Sequence, residues 1–307
     1  MTESGFERGT SRGERGLTIA ELLVALVIMA IVISQFMGIL LVQNVSYASQ
    51  ERKLDAQSSA RLVTEMILGD LRMAGFLVPR IVGVSSLDGG ANGVDTLCTS
   101  DWSVMGETEV NAALDVFPRA VLTGNVGAGA STVSLNGGSM DIDGDGDRDF
   151  SVGSGIIISD GTGSHCARIA AIAGGTIKFA PATIGGFSAA AVAGRAVPAI
   201  IYEVSGAGLL RNNVLLSPLV ENLQLEFGVD ANDDGELTGG EFPVNSLAAL
   251  NPSQVASIRV SVITRTLIEE RGVLGMGMPA AANHVGSAPD GFMRRKVTAT
   301  IVPRNLP

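Results

Sequence analysis

The feature that most constrains this chain is a long apolar run near its N-terminus. Between residues 17 and 42 the side chains are mostly Leu, Val, Ile, Ala and Met, and Glu21 carries the only formal charge. About 20 apolar residues are enough to cross a bilayer as a helix. A charge inside such a span costs roughly 2.5 to 3.5 kcal/mol on insertion scales, so Glu21 predicts a functional role and a partner.

Basic residues before the run set its predicted orientation. Arg8, Arg12 and Arg15 precede it, and the cytoplasmic flanks of membrane helices are enriched in Lys and Arg. We therefore expect a single pass, with a cytoplasmic N-terminus and everything after about residue 42 exported.

The junction between the leader and the apolar run has a specific pattern. A short polar leader ends in Glu14-Arg15-Gly16, the apolar Leu17 follows directly, and Glu21 is the fifth residue after the glycine. This pattern resembles the type III signal of type IV prepilins. The resemblance implies that a prepilin peptidase/N-methyltransferase cuts between Gly16 and Leu17 and methylates the new amino group. It also implies that Glu21 pairs with the amino terminus of a neighbouring subunit.

Two plainer interpretations of the N-terminus stay open. A secretory signal peptide has a shorter apolar core and is cut after that core, at a site of small residues. A simple single-pass anchor would carry Glu21 by chance. A filament subunit differs from both. The new amino group at Leu17 of one subunit and the carboxylate of Glu21 on another would neutralise each other inside a dry filament core.

The helix is predicted to continue beyond the apolar run. From residue 43 to residue 73 there is no proline, and apolar residues recur at helical spacing. The stripe consists of Leu62, Val63, Met66, Ile67 and Leu71. Gly75 and Pro79 then predict the end of the helix. We expect one helix over 17–74, apolar in its first half and amphipathic in its second.

The rest of the chain shows the short runs typical of strands. Four runs separated by Gly, Asp and Asn clusters predict a compact antiparallel unit, and they lie at 131–135, 154–159, 167–172 and 176–179. Later runs predict a sheet with one wet face, covered by the amphipathic half of the helix, and they lie at 199–204, 223–229, 258–262 and 297–301. The predicted fold class is α+β. The resemblance implies a type IV pilin-like helix packed on an antiparallel sheet, with an additional β-rich unit.

These elements predict five parts along the chain. They are a leader at 1–16, a transmembrane or filament-core helix at 17–42, an amphipathic half-helix and turn at 43–80, a β-rich unit with loops at 81–198, and an antiparallel sheet with an acidic loop at 199–307.

Two cysteines fall on the predicted exported side. They are Cys98 and Cys166, and disulfides persist in exported domains. If the two pair, the closed loop stabilises the fold by on the order of 4 kcal/mol in the chain-entropy model. The alternative is two free or buried thiols, because spacing along a sequence does not bring two cysteines into contact.

Two short loops hold ten of the 31 acidic residues. Residues 230–241 match the EF-hand loop template D-x-[DN]-x-[DN]-G-x5-E, and the candidate Ca²⁺ ligands there are Asp230, Asn232, Asp234, Glu236, Thr238 and Glu241. Residues 141–149 repeat the first half of the pattern, with Asp141, Asp143, Asp145 and Asp147 as candidate ligands. We expect a structural Ca²⁺ ion in the first loop. A solvated acidic turn is the alternative for both loops.

The charge balance and the histidines argue against other classes of function. The formal net charge of -10 argues against nucleic acid as a partner. His165 and His284 are the two histidines of the chain, and neither belongs to a catalytic motif. The clustered carboxylates have no neighbouring base. We therefore expect no enzymatic activity.

Two further stretches resemble PilW-like minor pilins of type IV pilus systems. They are 69–76, with the pattern D-L-R-x-A-G-[aromatic], and 294–305, a basic-flanked strand that ends in Arg304-Asn305. The resemblance implies a low-abundance subunit that joins the major pilin and other minor pilins and takes part in initiating pilus assembly. It implies an inner-membrane protein with a periplasmic C-terminal domain, found in the pilus after assembly. A minor pseudopilin of a type II secretion system and a membrane-anchored, calcium-dependent adhesion module stay open as alternatives.

Overall fold

A long N-terminal helix followed by antiparallel sheets makes up the fold, which confirms the predicted α+β class and its pilin-like arrangement. This computed structural model describes residues 18–104, 121–136, 140–142, 146–189, 194–269 and 277–306. The chain divides into two compact units, Met1–Glu51 and Arg52–Pro307.

Helix α1 (Ile19–Met73) contains 55 residues. Its end is close to the predicted limit, because Gly75 leaves helical geometry with a φ of +79°. Within the described part of the chain, α1 is the one helix long and apolar enough to cross a membrane. In the first unit its apolar side chains are exposed, so that stretch needs lipid or other subunits to cover it.

In the second unit the same helix is amphipathic. Val63, Ile67 and Leu71 are at most 1% exposed, and their spacing of four residues keeps them on one face. Leu62 and Met66 belong to the predicted stripe but are 65% and 36% exposed. Each precedes a buried residue by one position, which turns it about 100° around the helix axis. The buried face is therefore narrower than the sequence pattern indicated.

Within the described residues, the larger sheet has nine strands. They are β1 (Val84–Leu87), β2 (Thr96–Ser100), β3 (Thr132–Ser134), β4 (Gly155–Ser159), β5 (Ser164–Ala173), β6 (Thr176–Ala180), β7 (Arg195–Ser205), β8 (Gly208–Arg211) and β9 (Val214–Ser217). The order is β1-β2-β7-β4-β5-β6-β3, with β8 pairing β7 and β9 pairing β8. Short 3-10 turns lie at Arg80–Val82, Gly90–Asn92, Trp102–Val104 and Pro252–Gln254. The four predicted runs between residues 131 and 179 correspond to β3, β4, β5 and β6.

The prediction that residues 199–204 join the same sheet as 223–229 is wrong. These residues lie in β7, which pairs antiparallel with both β2 and β4 and so runs through the interior of the larger sheet. From Arg195 to Tyr202 every residue of β7 is buried, as in a strand covered on both faces. Alternation shows which side chains share a face but does not identify the neighbouring strand. Strand β7 crosses the predicted division at residue 198, and the domain boundaries stay a prediction.

The smaller sheet consists of β10 (Val220–Val229), β11 (Val255–Arg265) and β12 (Arg294–Ile301), paired antiparallel in that order. Leu223, Leu225 and Phe227 of β10 are fully buried, in one apolar cluster with Ile67 and Leu71 of helix α1. The amphipathic part of the helix therefore covers this sheet.

The opposite face of β10 is buried and not wet, contrary to the sequence expectation. Gln224 is 0% exposed and Glu226 is 7% exposed. Nε2 of Gln224 donates to the carbonyl of Gly93 at 2.9 Å, and Glu226 accepts two hydrogen bonds from Arg259 at 2.6 Å. Polar side chains on a buried face need such partners. The alternation in the sequence thus identified which face of β10 is polar, but it did not show that this face is buried.

A disulfide joins two strands that are not neighbours. Cys98 of β2 and Cys166 of β5 are bonded, with their Cα atoms 5.6 Å apart. Since β7 and β4 lie between these strands in the order, the sheet must curl to bring them together. The bond closes a separation of 68 residues, which stabilises the fold by about 4 kcal/mol in the chain-entropy model.

The packing of α1 on the smaller sheet predicts how two substitutions on this helix will differ. Ile67→Ala should lower the free energy of unfolding by about 2 to 5 kcal/mol, because it opens a cavity in the buried cluster. Leu62→Ala removes a side chain that is 65% exposed, and it should change that free energy by less than about 0.5 kcal/mol. Chemical denaturation followed by circular dichroism measures both. Equal losses in the two variants would contradict the assignment of the buried face.

Candidate functional site

The predicted processing and pairing site lies at the start of helix α1. Gly16 and Leu17 lie outside the described residues. The hydroxyl of Thr18 accepts a hydrogen bond from the backbone N–H of Glu21 at 3.3 Å. In return, Oε2 of Glu21 accepts from the Thr18 backbone N–H at 2.9 Å and from its hydroxyl at 3.0 Å. This reciprocal bonding between Thr and a Glu three residues later is a capping box.

The capping box gives Glu21 a local role that was not predicted from the sequence. The T-x-x-E spacing at residues 18–21 is the signal that would have found it. It holds the carboxylate in the first turn, where the helix dipole favours negative charge. Glu21 remains exposed, so its carboxylate is also accessible to a cation from another chain. The pairing of Glu21 with the amino terminus of a second subunit stays a prediction.

The stretch 69–76 closes helix α1 against the C-terminal part of the chain. A Cβ atom added at Gly75 would lie 2.8 Å from the carbonyl oxygen of Asn305 and 2.9 Å from the side chain of Leu306. Leu306 is fully buried and belongs to the same apolar cluster as Ala74. The stretches 69–76 and 294–305 therefore meet in space, with Gly75 against Asn305.

Asp70, in the same stretch, ties the helix to the larger sheet. Its Oδ2 accepts hydrogen bonds from the hydroxyl of Tyr202 in β7 and from Nε of Arg211 in β8, the latter at 3.0 Å. Burial and the bond to Asp70 raise the pKa of Tyr202. Tyr202 and Arg211 were not predicted from the sequence, because only the pairing of β7 with β8 brings them together. No spacing along the chain would have indicated this contact.

Arg294, at the start of the basic C-terminal stretch, has a structural role. Its side chain is 3% exposed, and its guanidinium donates to both carboxylate oxygens of Glu221 and of Asp290. These bonds raise the pKa of Arg294, and the bond from Arg294 lowers the pKa of Asp290 to about 2. Arg295 and Lys296 are exposed. Only the first residue of the basic flank is thus part of the interior.

In the first acidic loop, the predicted calcium ligands bond to the loop's own backbone. Asp230 accepts from the N–H groups of Asp234 and Gly235, Asn232 accepts from Asp234, and Glu241 accepts from Ala231 and Thr238. Across the described ranges, no group of three or more His, Cys, Asp or Glu side chains lies close enough to hold a metal ion. Calcium binding by Asp230, Asn232, Asp234, Glu236 and Glu241 stays a prediction.

The second acidic loop is described only in part. Asp143 and Asp145 lie outside the described residues. Oδ2 of Asp141 accepts from the N–H of Gly146 at 3.2 Å, and Asp147 is exposed. Calcium binding in this loop also stays a prediction.

Two glycines of the stretch 69–76 should respond to alanine in opposite ways. Gly75→Ala combines a positive φ with the close approach of Asn305, and it should destabilise the fold by more than about 1 kcal/mol. Gly69 lies inside the helix with open space around it, so Gly69→Ala should stabilise by about 0.5 to 1 kcal/mol. Denaturant unfolding of both variants tests this. A neutral Gly75→Ala would contradict the contact with Asn305.

The EF-hand template also makes a measurable prediction. Millimolar Ca²⁺ should raise the thermal unfolding temperature if it binds the folded chain and not the unfolded one. Glu241→Gln removes the carboxylate that closes the template and should abolish most of this shift. Asp233→Asn removes one charge from the same loop at a position that the template leaves free, and it should keep the shift. An unchanged unfolding temperature for the unmodified protein would rule calcium out.

Comparison with known proteins identifies the N-terminal signal. A family model described as the prokaryotic N-terminal methylation motif matches residues 11–34. That range contains Gly16, Leu17 and Glu21. Among curated proteins, no significant match is found.

Two bacteriophage tailspikes are among the solved structures that match a limited part of the chain. One is the Gp54 tailspike of Acinetobacter baumannii bacteriophage AP22 in complex with A. baumannii capsular saccharide, at 10% identity and a TM-score of 0.21. The other is the Pseudomonas phage phi297 tailspike gp61, at 11% identity and a TM-score of 0.21. Each match covers 26% of this chain and 14% or 13% of the tailspike, and at these scores neither bears on the fold or function. The matched motif and helix α1 show that this chain carries a type IV pilin-like signal at the start of a helix long and apolar enough to cross a membrane.

Proposed function

We propose that this protein is a minor pilin that takes part in initiating the assembly of a type IV pilus. A prepilin peptidase/N-methyltransferase removes the leader after Gly16 and methylates the amino group of Leu17. The mature chain then joins the major pilin and other minor pilins. It is held in the inner membrane by helix α1 until it enters the pilus, with the domain that follows in the periplasm.

The observation that carries this proposal is the methylation motif at residues 11–34, directly in front of an exposed apolar helix. The part of helix α1 that lies in the first unit exposes large apolar side chains along its length. Exposed apolar surface on this scale needs lipid or another chain to cover it. Membrane residence before assembly and packing among other pilin helices after assembly meet this need in turn.

The charge in the first turn supports assembly over simple anchoring. Cleavage after Gly16 would create a positive amino terminus at Leu17, four residues before the carboxylate of Glu21. Two opposite charges out of water attract strongly, and each is costly without the other. An exposed Glu21 already held in position by Thr18 is suited to accept the amino terminus of a neighbouring subunit. Such pairing would set the axial position of one subunit on the next.

The assignment to a minor pilin and not to another processed protein depends on two stretches outside the matched motif. They are the helix end at 69–76 and the basic-flanked strand at 294–305, which resemble PilW-like proteins. The contact between Gly75 and Asn305 gives them one shared structural role. A minor pseudopilin of a type II secretion system would carry the same N-terminal signal, so the motif does not separate these two functions.

Mass spectrometry of the protein purified from membranes tests the processing step. The expected N-terminus is a methylated Leu17. Recovery of intact Met1, or of a chain cut after residue 42, would contradict the proposal.

Substitution of Glu21 then separates pairing from capping. Glu21→Gln keeps side-chain oxygen and nitrogen atoms able to form a capping box but removes the charge. It should therefore reduce pilus number as strongly as Glu21→Ala. Glu51→Gln, an exposed position on the same helix, should leave piliation unchanged. If cells with Glu21→Gln form normal numbers of pili, the charge of Glu21 is not needed for assembly, and the pairing hypothesis is wrong.

A deletion strain separates the pilin from the pseudopilin. Loss of pili with intact type II secretion would favour the pilin.

A further inference from the structure

His165 is a buried histidine that the proposed function does not use. His165 lies in β5 opposite Ile158 of β4 and is 2% exposed. Its ring lies 5.9 Å from the ring of Phe179, a side chain that is itself 1% exposed. The imidazole therefore sits in an apolar part of the larger sheet.

One ring nitrogen of His165 holds the segment that follows β6. Nε2 lies 3.1 Å from the carbonyl oxygen of Pro181. A carbonyl oxygen only accepts hydrogen bonds, so Nε2 carries the proton and the neutral ring leaves Nδ1 bare. For the described residues the structure gives no hydrogen bond to Nδ1. A second proton would therefore place a positive charge in an apolar site where the described residues offer the new N–H no acceptor, which is costly.

The segment bonded to His165 is itself part of a larger connection. Thr183 exchanges backbone hydrogen bonds with Gly129 and Ala130, each at 2.8 Å. Phe187 pairs in the same way with Val126, at 2.7 and 2.9 Å. Residues 181–187 thus lie between His165 on one side and residues 126–130 on the other.

We propose that His165 is an acid-sensitive latch, whose protonation detaches residues 181–187 from β5 and loosens the residues 126–130 bonded to them. At neutral pH the neutral imidazole closes the latch. As the pH falls, the ring takes up a proton and leaves its apolar site, and its bond to Pro181 is lost. The latch is independent of the N-terminal signal and of the proposed role in pili.

The surroundings of the ring favour its neutral form, as the proposal requires. Burial lowers the pKa of His165, and the Pro181 carbonyl opposes this more weakly. A lowered pKa means that the folded state resists the proton. The stabilisation is complete above the ordinary histidine value of about 6.5 and is lost as the pH falls below it.

The neighbouring groups do not titrate in the same interval. Ile158 is paired with His165 in the sheet, Phe179 lies against the ring and Pro181 accepts its hydrogen bond. None of these three has a titratable side chain. Among the charged residues that flank them, Lys178 is exposed. Burial acts to raise the pKa of Asp160, but hydrogen bonds from Thr162 and Ser188 prevail and lower it. Asp160 thus stays ionised over the pH range in which a histidine titrates.

Global unfolding is a poor measure of the latch, because Asp95 acts in the opposite direction. Burial raises the pKa of Asp95 to about 6, against opposing hydrogen bonds from Gly89 and Leu225. A carboxyl whose pKa is higher in the folded state stabilises the fold below about pH 4, and this contribution is lost as the pH rises towards 6. A local measurement at 181–187 separates the two groups.

Hydrogen exchange of the full-length protein at pH 7.5 and pH 5.0, corrected for the intrinsic effect of pH, provides that measurement. Amides of residues 181–187 and 126–130 should exchange severalfold faster at pH 5.0 than at pH 7.5, because protonation of a buried ring whose pKa is lowered favours the open form of the latch. His165→Gln keeps an N–H donor for Pro181 but does not titrate, so it should show no such acceleration. His284→Gln, at the second histidine of the chain, should behave as the unmodified protein does. The same acceleration in His165→Gln, or none in the unmodified protein, would overturn the proposal.

A direct titration covers the case in which His165→Gln does not fold. In the His284→Gln variant, the one remaining histidine is His165, and its ring resonances report its protonation by NMR. A midpoint clearly below 6.5, accompanied by changes in the amides of 181–187, is the expected result. A midpoint at or above 6.5 would overturn the latch.

Discussion

The burial of one face of helix α1 against the smaller sheet is the contact on which the rest of the structure depends. Val63, Ile67 and Leu71 enter the same apolar cluster as Leu223, Leu225 and Phe227. Burying each side chain of this size contributes about 1.5 to 3 kcal/mol, so this face contributes substantially to the stability of the domain. It also means that the two parts of helix α1 have different environments. The second part belongs to the folded domain, and the first part is left with apolar surface that only lipid or other chains can cover.

The end of that helix is where the distant parts of the chain meet. Gly75 allows the backbone of residues 305–306 to approach closely, and Leu306 fills the space beneath. Asp70, five residues earlier, bonds to Tyr202 and Arg211 of the larger sheet. The helix is thus fixed to both sheets within a few residues. This explains in physical terms why a glycine and an acid stand in the stretch 69–76.

Much of the secondary structure follows from local pattern, and its arrangement does not. Helical spacing indicated a helix over 17–74, and alternation indicated most strands, because each depends only on which side chains share a face. The prediction failed for 199–204, which pair within the larger sheet, and for Leu62 and Met66, which face outwards. Both failures concern a choice of partner, which is decided by residues far away in sequence. The polar contacts of Asp70 and Arg294 were missed for the same reason.

The sequence by itself determined the N-terminal signal, the apolar helix that follows it and the α+β class, because each depends on the pattern of residues close together in the chain. The capping box of Thr18 and Glu21 belongs to this group as well, since a spacing of three residues specifies it. The tertiary structure alone decided that Cys98 meets Cys166, that β7 belongs to the larger sheet, and that His165 is buried against Pro181. Those contacts join residues separated by many positions, and whether they form depends on the free energy of packing the whole domain.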